Sequence, residues 1–331
     1  MAVVFLAGAA LSLAASWRLV SRLERVGARL GFTEAALGML AALAADGPEI
    51  TASVTALASG QARIGAGVVI GSNVFNLAAL LGLAAVVAGR IALHRRVILL
   101  EGVVAIWVAI TCVVVVVGLV PAAAGLVIAL LLFAPYLMVL VVPHDRLGGL
   151  GLPPAWLRWL SATITEEEEE LESAFHPRRG GQRDAIEALL ALLVVVGASV
   201  AMEQTASTLG ARAAVPEIVV GGLVLACVTS LPNAVAAVYL ARRGRGTATL
   251  STAMNSNALN VLVGLLLPAV IVGLGESSGE ANIVVAGYLA MTALAIACAY
   301  VGRGLGRLSG TVIILAYMAF VGVVIGTAYS A

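Results

Sequence analysis

Asp46-Gly47-Pro48-Glu49, followed by Gly71-Ser72-Asn73-Val74-Phe75-Asn76, is the most informative pattern in the sequence, because the chain contains it twice. The second copy reads Ser230-Leu231-Pro232-Asn233 and then Asn255-Ser256-Asn257-Ala258-Leu259-Asn260. Adding 184 to a residue number maps the first copy onto the second without a gap, so that Pro48 falls on Pro232. Polar side chains beside prolines in apolar segments are costly in lipid and usually functional. A duplicated pair of broken segments is typical of a transporter whose binding site lies between two repeats.

The composition is that of an integral membrane protein. Hydrophobic residues make up 61% of the chain, charged residues only 11%, and the mean hydropathy is +1.07. Soluble domains are about half apolar and about one quarter charged. The three cysteines each lie in an apolar run without paired spacing, which indicates small buried side chains and neither a disulfide framework nor a metal site.

Hydropathy predicts an all-α membrane protein with ten transmembrane helices. They lie near 2–20, 32–59, 64–88, 97–118, 121–142, 184–209, 215–241, 247–273, 281–301 and 308–329. Five helices precede a polar loop at 143–183 and five follow it. The second copy therefore enters the membrane from the opposite side, which predicts two inverted five-helix repeats at 1–142 and 184–331.

Charge asymmetry predicts the orientation. All 19 basic residues are arginines, and the predicted helices place all of them except Arg63 and Arg212 on one side. The positive-inside rule then predicts both termini outside and the 143–183 loop in the cytoplasm, in a cell (inner) membrane. The glutamate run at 166–170 in this loop indicates either a calcium-sensing patch or a solvated surface, and the second interpretation is favoured.

Two carboxylates near the middle of the second predicted helix indicate a cation site. Asp46 and Glu49 are spaced i, i+3 and therefore share one helix face. Pro48 removes a backbone donor, which leaves carbonyls around Ala45 without their helical partners. Carboxylate and carbonyl oxygens suit a hard cation such as Na⁺ or Ca²⁺. The seventh predicted helix repeats the device with uncharged oxygens, from Thr229, Ser230 and Asn233.

The third and eighth predicted helices add a matching pair of polar turns. Ser72 and Asn76, like Ser256 and Asn260, are four residues apart and lie on one helix face. Such residues also serve as hydrogen-bonding glue between membrane helices. Their duplication in register beside two carboxylates favours the cation site, because buried carboxylates without a cation or proton are costly.

Pro48-Glu49 with Gly71 to Asn76, and Ser230 to Asn233 with Asn255 to Asn257, resemble the two α-repeats of the sodium/calcium exchanger superfamily of cation antiporters. The resemblance covers roughly residues 35–85 and 219–269. It implies that Glu49 is a shared Na⁺/Ca²⁺ ligand and that Asn233 occupies the partner position. It further implies secondary or flanking roles for Ser72, Ser256, Thr229, Asn76, Asn260 and the carbonyl of Ala45. The first and sixth helices would slide across the core to alternate access.

The chain departs from the family pattern in its charges. Family members commonly carry acids at the positions of Asn233 and Asn260, whereas Asp46 is an additional acid here. The formal charge of the site is therefore −2, one each from Asp46 and Glu49. This charge balances one Ca²⁺ or two Na⁺.

These residues predict a membrane antiporter for inorganic cations that is not an enzyme and uses neither a cofactor nor a nucleic-acid partner. The leading hypothesis is Na⁺/Ca²⁺ exchange with altered stoichiometry. Two alternatives stay open: cation/proton exchange, either H⁺/Ca²⁺ or Na⁺/H⁺, and an inactive membrane scaffold. The oligomeric state is left open.

Overall fold

The computed structural model describes residues 1–30, 34–141, 180–275 and 277–330. The predicted loop at 143–183, with its glutamate run, lies outside these ranges except for its last four positions. The described chain is helical apart from turns and two short strands. The helices are α1 (Ala2–Leu30), α2 (Glu34–Ala45), α3 (Gly47–Ala58), α4 (Ala62–Ala88), α5 (Arg95–Val116), α6 (Ala122–Val141), α7 (Gln182–Arg212), α8 (Glu217–Thr229), α9 (Leu231–Arg242), α10 (Gly246–Val272), α11 (Gly279–Gly302) and α12 (Arg307–Ser330).

Two of the predicted helices are broken, and both breaks lie at the duplicated motif. The proline breaks expected within 32–59 and 215–241 are thus present. Asp46 joins α2 to α3 and Ser230 joins α8 to α9, with φ, ψ of −78°, −3° and −83°, 0°. Pro48 and Pro232 each lie in the first turn after the break, where a missing N–H removes no helical hydrogen bond. The chain bends by 46° between α8 and α9.

The described helices confirm an all-α membrane protein. Seven of them are long and apolar enough to cross a membrane, and the bent pair of α8 and α9 makes an eighth candidate. Helix α6 contains a shorter apolar stretch, Ala122–Met138. The prediction of ten spans stays a prediction.

Helix α1 is longer than its predicted range of 2–20. Its last turns contain arginines that the sequence placed in a loop, and these contact the start of α7. Arg22 Nη1 lies 2.9 Å from Asp184 Oδ1, and Arg25 Nη1 lies 3.4 Å from the same atom. In the middle of the two helices, Ser12 and Ser199 share a 3.1 Å hydrogen bond. These contacts join α1 and α7 along their length, and we call them the α1–α7 pair.

The two ends of the molecule differ in charge. Ser207 Oγ donates to Gln61 Oε1 at 2.7 Å, so the turn after α3 and the end of α7 lie at the same end. The charged residues near it include Arg63 and Arg212, and we call it the arginine-poor end. The opposite, arginine-rich end contains an antiparallel pair of strands, β1 (Arg90–Ala92) and β2 (Gly304–Gly306).

Helices α4 and α10 form the most buried part of the core. Each contains a π-helical segment next to the last asparagine of its polar motif: Leu77–Leu83 follows Asn76, and Asn260–Leu266 begins with Asn260. Such wider turns are frequent at functional sites. Helix α4 also approaches α8 very closely, because Gly71 faces Gly222 without side chains between the backbones. The core thus holds the two polar motifs side by side.

Candidate cation site

Both predicted carboxylates are completely buried and face the second repeat. Asp46 lies at the break between α2 and α3, and Glu49 lies in the first turn of α3; each is 0% exposed. Ser230 Oγ donates to Glu49 Oε1 at 2.9 Å. Asn233 Nδ2 donates to Asp46 Oδ1 at 2.7 Å. Each acid of the first repeat is therefore hydrogen-bonded to the broken segment of the second.

Ser256 connects the acid of one broken helix to the amides of both repeats. Its hydroxyl donates to Asp46 Oδ1 at 2.5 Å. It also accepts hydrogen bonds from Asn76 Nδ2 at 3.3 Å and from Asn233 Nδ2 at 3.4 Å. The structure thus brings these predicted site residues together around Asp46.

Two asparagines that the sequence analysis left out of the ligand set connect the repeats. Asn73 Nδ2 donates to the carbonyl of Asn257 at 2.9 Å, and Asn257 Nδ2 donates to the carbonyl of Asn73 at 3.0 Å. Asn76 Nδ2 donates to Asn257 Oδ1 at 3.1 Å, and Asn260 Nδ2 donates to Asn73 Oδ1 at 3.2 Å. The members of each pair of bonds are equivalent under the 184-residue offset. Because the 184-residue offset maps Asn73 onto Asn257, both could have been identified from the sequence as site residues.

Four buried oxygens of the site have no hydrogen-bond partner. They are Asp46 Oδ2, Glu49 Oε2, Asn76 Oδ1 and Asn260 Oδ1. Buried polar atoms are normally hydrogen-bonded, and unpaired buried carboxylate oxygens are especially costly. Two carboxylates and two amide oxygens are donors that a hard cation prefers. In the described ranges no three His, Cys, Asp or Glu side chains come together, so a cation here would need the amide oxygens as well.

Three further predicted ligands lie beside this cluster without bonding to the acids. Ser72 Oγ donates to the carbonyl of Val69 at 3.0 Å, and Thr229 Oγ1 donates to that of Leu225 at 2.9 Å. Both donor side chains are buried, and their lone pairs are not used by these bonds. Ala45 is half-buried at the end of α2. Their role as ligands stays a prediction.

A second polar cluster lies beside α10, and the sequence analysis missed it. Tyr136 Oη lies 2.8 Å from Glu101 Oε1 and 2.8 Å from Asn255 Oδ1. Asn255 Nδ2 donates to Ser251 Oγ at 2.9 Å. Glu101 is itself only 1% exposed. Single acids in apolar helices give no pattern from which such partners can be read.

Comparison with known proteins identifies the family of the chain. The sequence model of the family described as "Sodium/calcium exchanger protein" matches residues 1–143 and 186–326, which include both copies of the motif. No curated protein sequence is significantly similar to this chain.

Several solved structures share the fold. The structure titled "Crystal Structure of H+/Ca2+ Exchanger CAX" is 14% identical, with a TM-score of 0.70, and the match covers 99% of this chain and 86% of that one. Native YfkE is 17% identical, with a TM-score of 0.65 and coverage of 97% and 91%. A structure of the sodium-calcium exchanger NCX_Mj is 20% identical, with a TM-score of 0.60 and coverage of 96% and 97%. At these identities the likeness concerns the fold alone.

Proposed function

Since the chain belongs to the sodium/calcium exchanger protein family, we propose that it is a membrane antiporter that exports Ca²⁺ from the cytoplasm in exchange for Na⁺. Ca²⁺ and Na⁺ would bind in turn at one buried site between the two repeats. The 143–183 loop and the arginine-rich end would face the cytoplasm, with both termini outside a cell (inner) membrane. The α1–α7 pair would slide across the core and expose the site to each side in turn.

The observation that carries this proposal is the set of four unpartnered oxygens from Asp46, Glu49, Asn76 and Asn260. The first two residues come from the break in the first repeat. Asn76 directly precedes the π-helical segment of α4, and Asn260 is the first residue of the π-helical segment of α10. The three side-chain hydrogen bonds to the two carboxylates come from Ser230, Asn233 and Ser256 of the second repeat. An arrangement that leaves oxygens of this kind unpaired is well suited to a cation that binds there and leaves.

The charge of the site supports a reduced stoichiometry. Asp46 and Glu49 carry two negative charges, and the second repeat contributes only amides and hydroxyls. One Ca²⁺ or two Na⁺ would neutralise the site, whereas a third Na⁺ would lack a counter-charge in a low-dielectric interior. We therefore propose an electroneutral exchange of one Ca²⁺ for two monovalent ions.

Proton coupling is the second candidate, and the geometry of the acids favours it over the remaining alternatives. Each carboxylate has one hydrogen-bonded oxygen and one free oxygen, so each can hold a proton without breaking its bond to the second repeat. Two protons would neutralise the site as two Na⁺ would. The cargo would still be Ca²⁺, and only the driving ion would change.

Flux measurements in proteoliposomes test the proposal. Uptake of ⁴⁵Ca²⁺ under an imposed Na⁺ gradient at equal pH supports Na⁺ coupling, and uptake that follows only a pH gradient supports the proton candidate. Flux that changes with membrane potential would contradict electroneutral exchange. The matched controls are Glu49→Gln, which removes one site charge, and Glu217→Gln, which removes an exposed acid at the start of α8.

Binding measurements address the inactive-scaffold alternative. Isothermal titration with Ca²⁺, Na⁺ and Mn²⁺ should show saturable binding to the wild type that is lost in Glu49→Gln and kept in Glu217→Gln. Absence of binding to the wild type, in a protein that is folded by thermal unfolding, would support a scaffold.

A further inference from the structure

The α1–α7 pair contains a carboxylate that the cation site does not use. Glu203 lies on α7, is 1% exposed, and its Oε1 has no hydrogen-bond partner. An unpaired carboxylate inside a membrane protein is strongly unfavourable unless a proton or cation neutralises it. Its counterpart under the 184-residue offset is Leu19, which is also buried, at 2%. Because leucine fills the equivalent place on α1, packing alone does not call for an acid at position 203.

Polar side chains continue from Glu203 in both directions along α7. Ser199 and Ser207 lie four residues before and after it, so the three side chains project from one side of the helix, about 6 Å apart along the axis. Ser207 Oγ donates to Gln61 Oε1 at 2.7 Å, at the arginine-poor end. Ser199 shares its 3.1 Å hydrogen bond with Ser12 of α1. Glu203 is thus the middle of a polar path that starts at the arginine-poor end.

A small cavity lies between the α1–α7 pair and the two proline breaks. It has a volume of about 10 Å³, which is room for roughly one water molecule. Its walls include Ser12, Pro48, Thr229 and Pro232. Thr229 directly precedes the serine that donates to Glu49. The cavity therefore separates Ser12, the hydrogen-bond partner of Ser199, from the edge of the site.

The surroundings of Glu203 suit a proton better than a metal ion. Ca²⁺ takes six to eight oxygen ligands in most proteins, whereas the face of α7 around Glu203 adds only the two hydroxyls of Ser199 and Ser207 to its carboxylate. The elements packed against α7 are α1, α3 and α8. Their charged or titratable groups are the Met1 amine, Arg18, Arg22, Glu24, Arg25, Arg29, Glu49, Glu217 and Cys227.

None of these groups forms an ion pair with Glu203 in the described structure. The arginines of α1 begin at Arg18, in the half of α1 that leads to the arginine-rich end. The charged residues of α7 itself, Arg183, Asp184, Glu187 and Arg212, lie in its first two turns or at its last residue. A carboxylate in this position can be neutralised locally by taking up a proton.

We propose that Glu203 is a second proton-binding site, on the α1–α7 pair between the arginine-poor end and the cation site. This proposal rests on the proposed antiport function, because exchange requires the pair to move. The carboxyl holds a proton while it is buried and exchanges it with solution when the movement of the pair opens the polar path. Glu203 thereby adds one proton to those that Asp46 and Glu49 can bind.

Infrared spectroscopy of the full-length protein in liposomes tests this directly, without any transport measurement. At neutral pH the wild type should show the carbonyl stretch of a protonated carboxyl, shifted in D₂O. Glu203→Gln should remove the equivalent of one carboxyl from this band, and Glu217→Gln should leave the band unchanged. An unchanged band in Glu203→Gln would overturn the proposal.

A second variant and a separate flux measurement complete the experiment. Glu203→Leu, which reproduces the residue found at the counterpart position on α1, replaces Glu203→Gln if the latter does not fold, and it should remove the same carboxyl. The flux assay on the wild type is scored separately. A protein that transports no cation but loses the band in Glu203→Gln would contradict the proposed antiport and leave the proton site supported.

Discussion

Asn73 and Asn257 form two reciprocal hydrogen bonds: the side-chain amide of each donates to the backbone carbonyl of the other, at 2.9 Å and 3.0 Å. They are 184 residues apart and occupy the same place in the two copies of the motif. The reciprocal pair joins α4 to α10 directly beside the cation site. It couples the position of one π-helical segment to that of the other.

Replacing either partner of this pair should destabilise the whole core. In Asn73→Ala the carbonyl of Asn257 loses one of its donors and the Asn260 side-chain amide loses its acceptor. Each buried polar group left unsatisfied costs about 1–3 kcal/mol, so we expect an unfolding free energy lower by a similar amount. Thermal unfolding in detergent checks this, with Asn282→Ala, at an exposed hydrogen bond to Ser277, as the control. Additive effects in the double variant Asn73→Ala/Asn257→Ala would show that the bonds are independent.

Moving one charge across the repeats should preserve cation binding. Asp46→Asn alone removes one of the two site charges, and the loss of a buried charge partner costs about 3 kcal/mol, or roughly 100-fold in Ca²⁺ affinity. Asn233→Asp, whose side chain replaces an amide 2.7 Å from Asp46 Oδ1, returns the charge from the second repeat. The double variant should therefore bind Ca²⁺ within about tenfold of the wild type. Isothermal titration measures all three proteins, and a double variant as weak as Asp46→Asn would show that the position of the charge matters more than its sum.

Adding a charge without removing one should change the electrical behaviour. Asn233→Asp alone makes the formal charge of the site −3, and the additional negative charge can compensate a third monovalent ion. We expect its Ca²⁺ flux to depend on membrane potential, whereas wild-type flux does not. The measurement is ⁴⁵Ca²⁺ uptake at clamped potentials set with K⁺ and valinomycin. Potential-independent flux in both proteins would contradict the link between site charge and stoichiometry.

The close approach of α4 and α8 should be intolerant of a single methyl group. A Cβ on Gly71 would collide with the carbonyl oxygen of Gly222, so Gly71→Ala must push the two helices apart. Overpacking of this kind typically costs about 1–3 kcal/mol. Gly326→Ala is the matched control, because no atom lies within 4 Å of a Cβ at that helical position. The melting temperature and the Ca²⁺ affinity should both fall in Gly71→Ala and stay unchanged in Gly326→Ala.

The Tyr136 hydroxyl should stabilise the part of α10 that contains Asn255, next to the cation site. Tyr136→Phe removes the bridge between Glu101 and Asn255, which directly precedes Ser256 of the cation site. We expect a loss of about 1–3 kcal/mol in unfolding free energy. Tyr329→Phe, at an exposed position of α12, is the control. Equal melting temperatures for Tyr136→Phe and the wild type would show that the remaining contacts of Glu101 suffice.

Much of the site could be predicted because the chain repeats it. Prolines, acids and amides at a constant offset reveal the two breaks, and in the structure Ser230 of the second break donates to Glu49 beside the first. The helical secondary structure could also be predicted from the composition, because apolar segments in lipid must form their backbone hydrogen bonds within helices. The location of each break followed from a proline that tolerates only the first helical turn.

The remainder depends on contacts that one sequence position cannot reveal. The end of α1 was predicted too early, because the arginines that resemble a loop are paired with Asp184 on α7. Glu101 and Tyr136 come from helices with no polar periodicity, and only the packing of α5, α6 and α10 brings them together. Apolar counterparts occupy their equivalent positions, Val285 and Phe320, so the repeat gave no hint of this cluster.

The hydrogen bonds between the repeats have a consequence for how the molecule is assembled. Both acids find their partners in the other half, the paired asparagines join the halves at the centre, and β1 joins β2 near the arginine-rich end. Neither half contains a complete site or satisfies its own buried polar groups. The two repeats therefore depend on each other as the subunits of an obligate dimer do, although one chain contains both. Two fragments that are expressed separately, after a cut within the connecting segment, should still associate and reassemble.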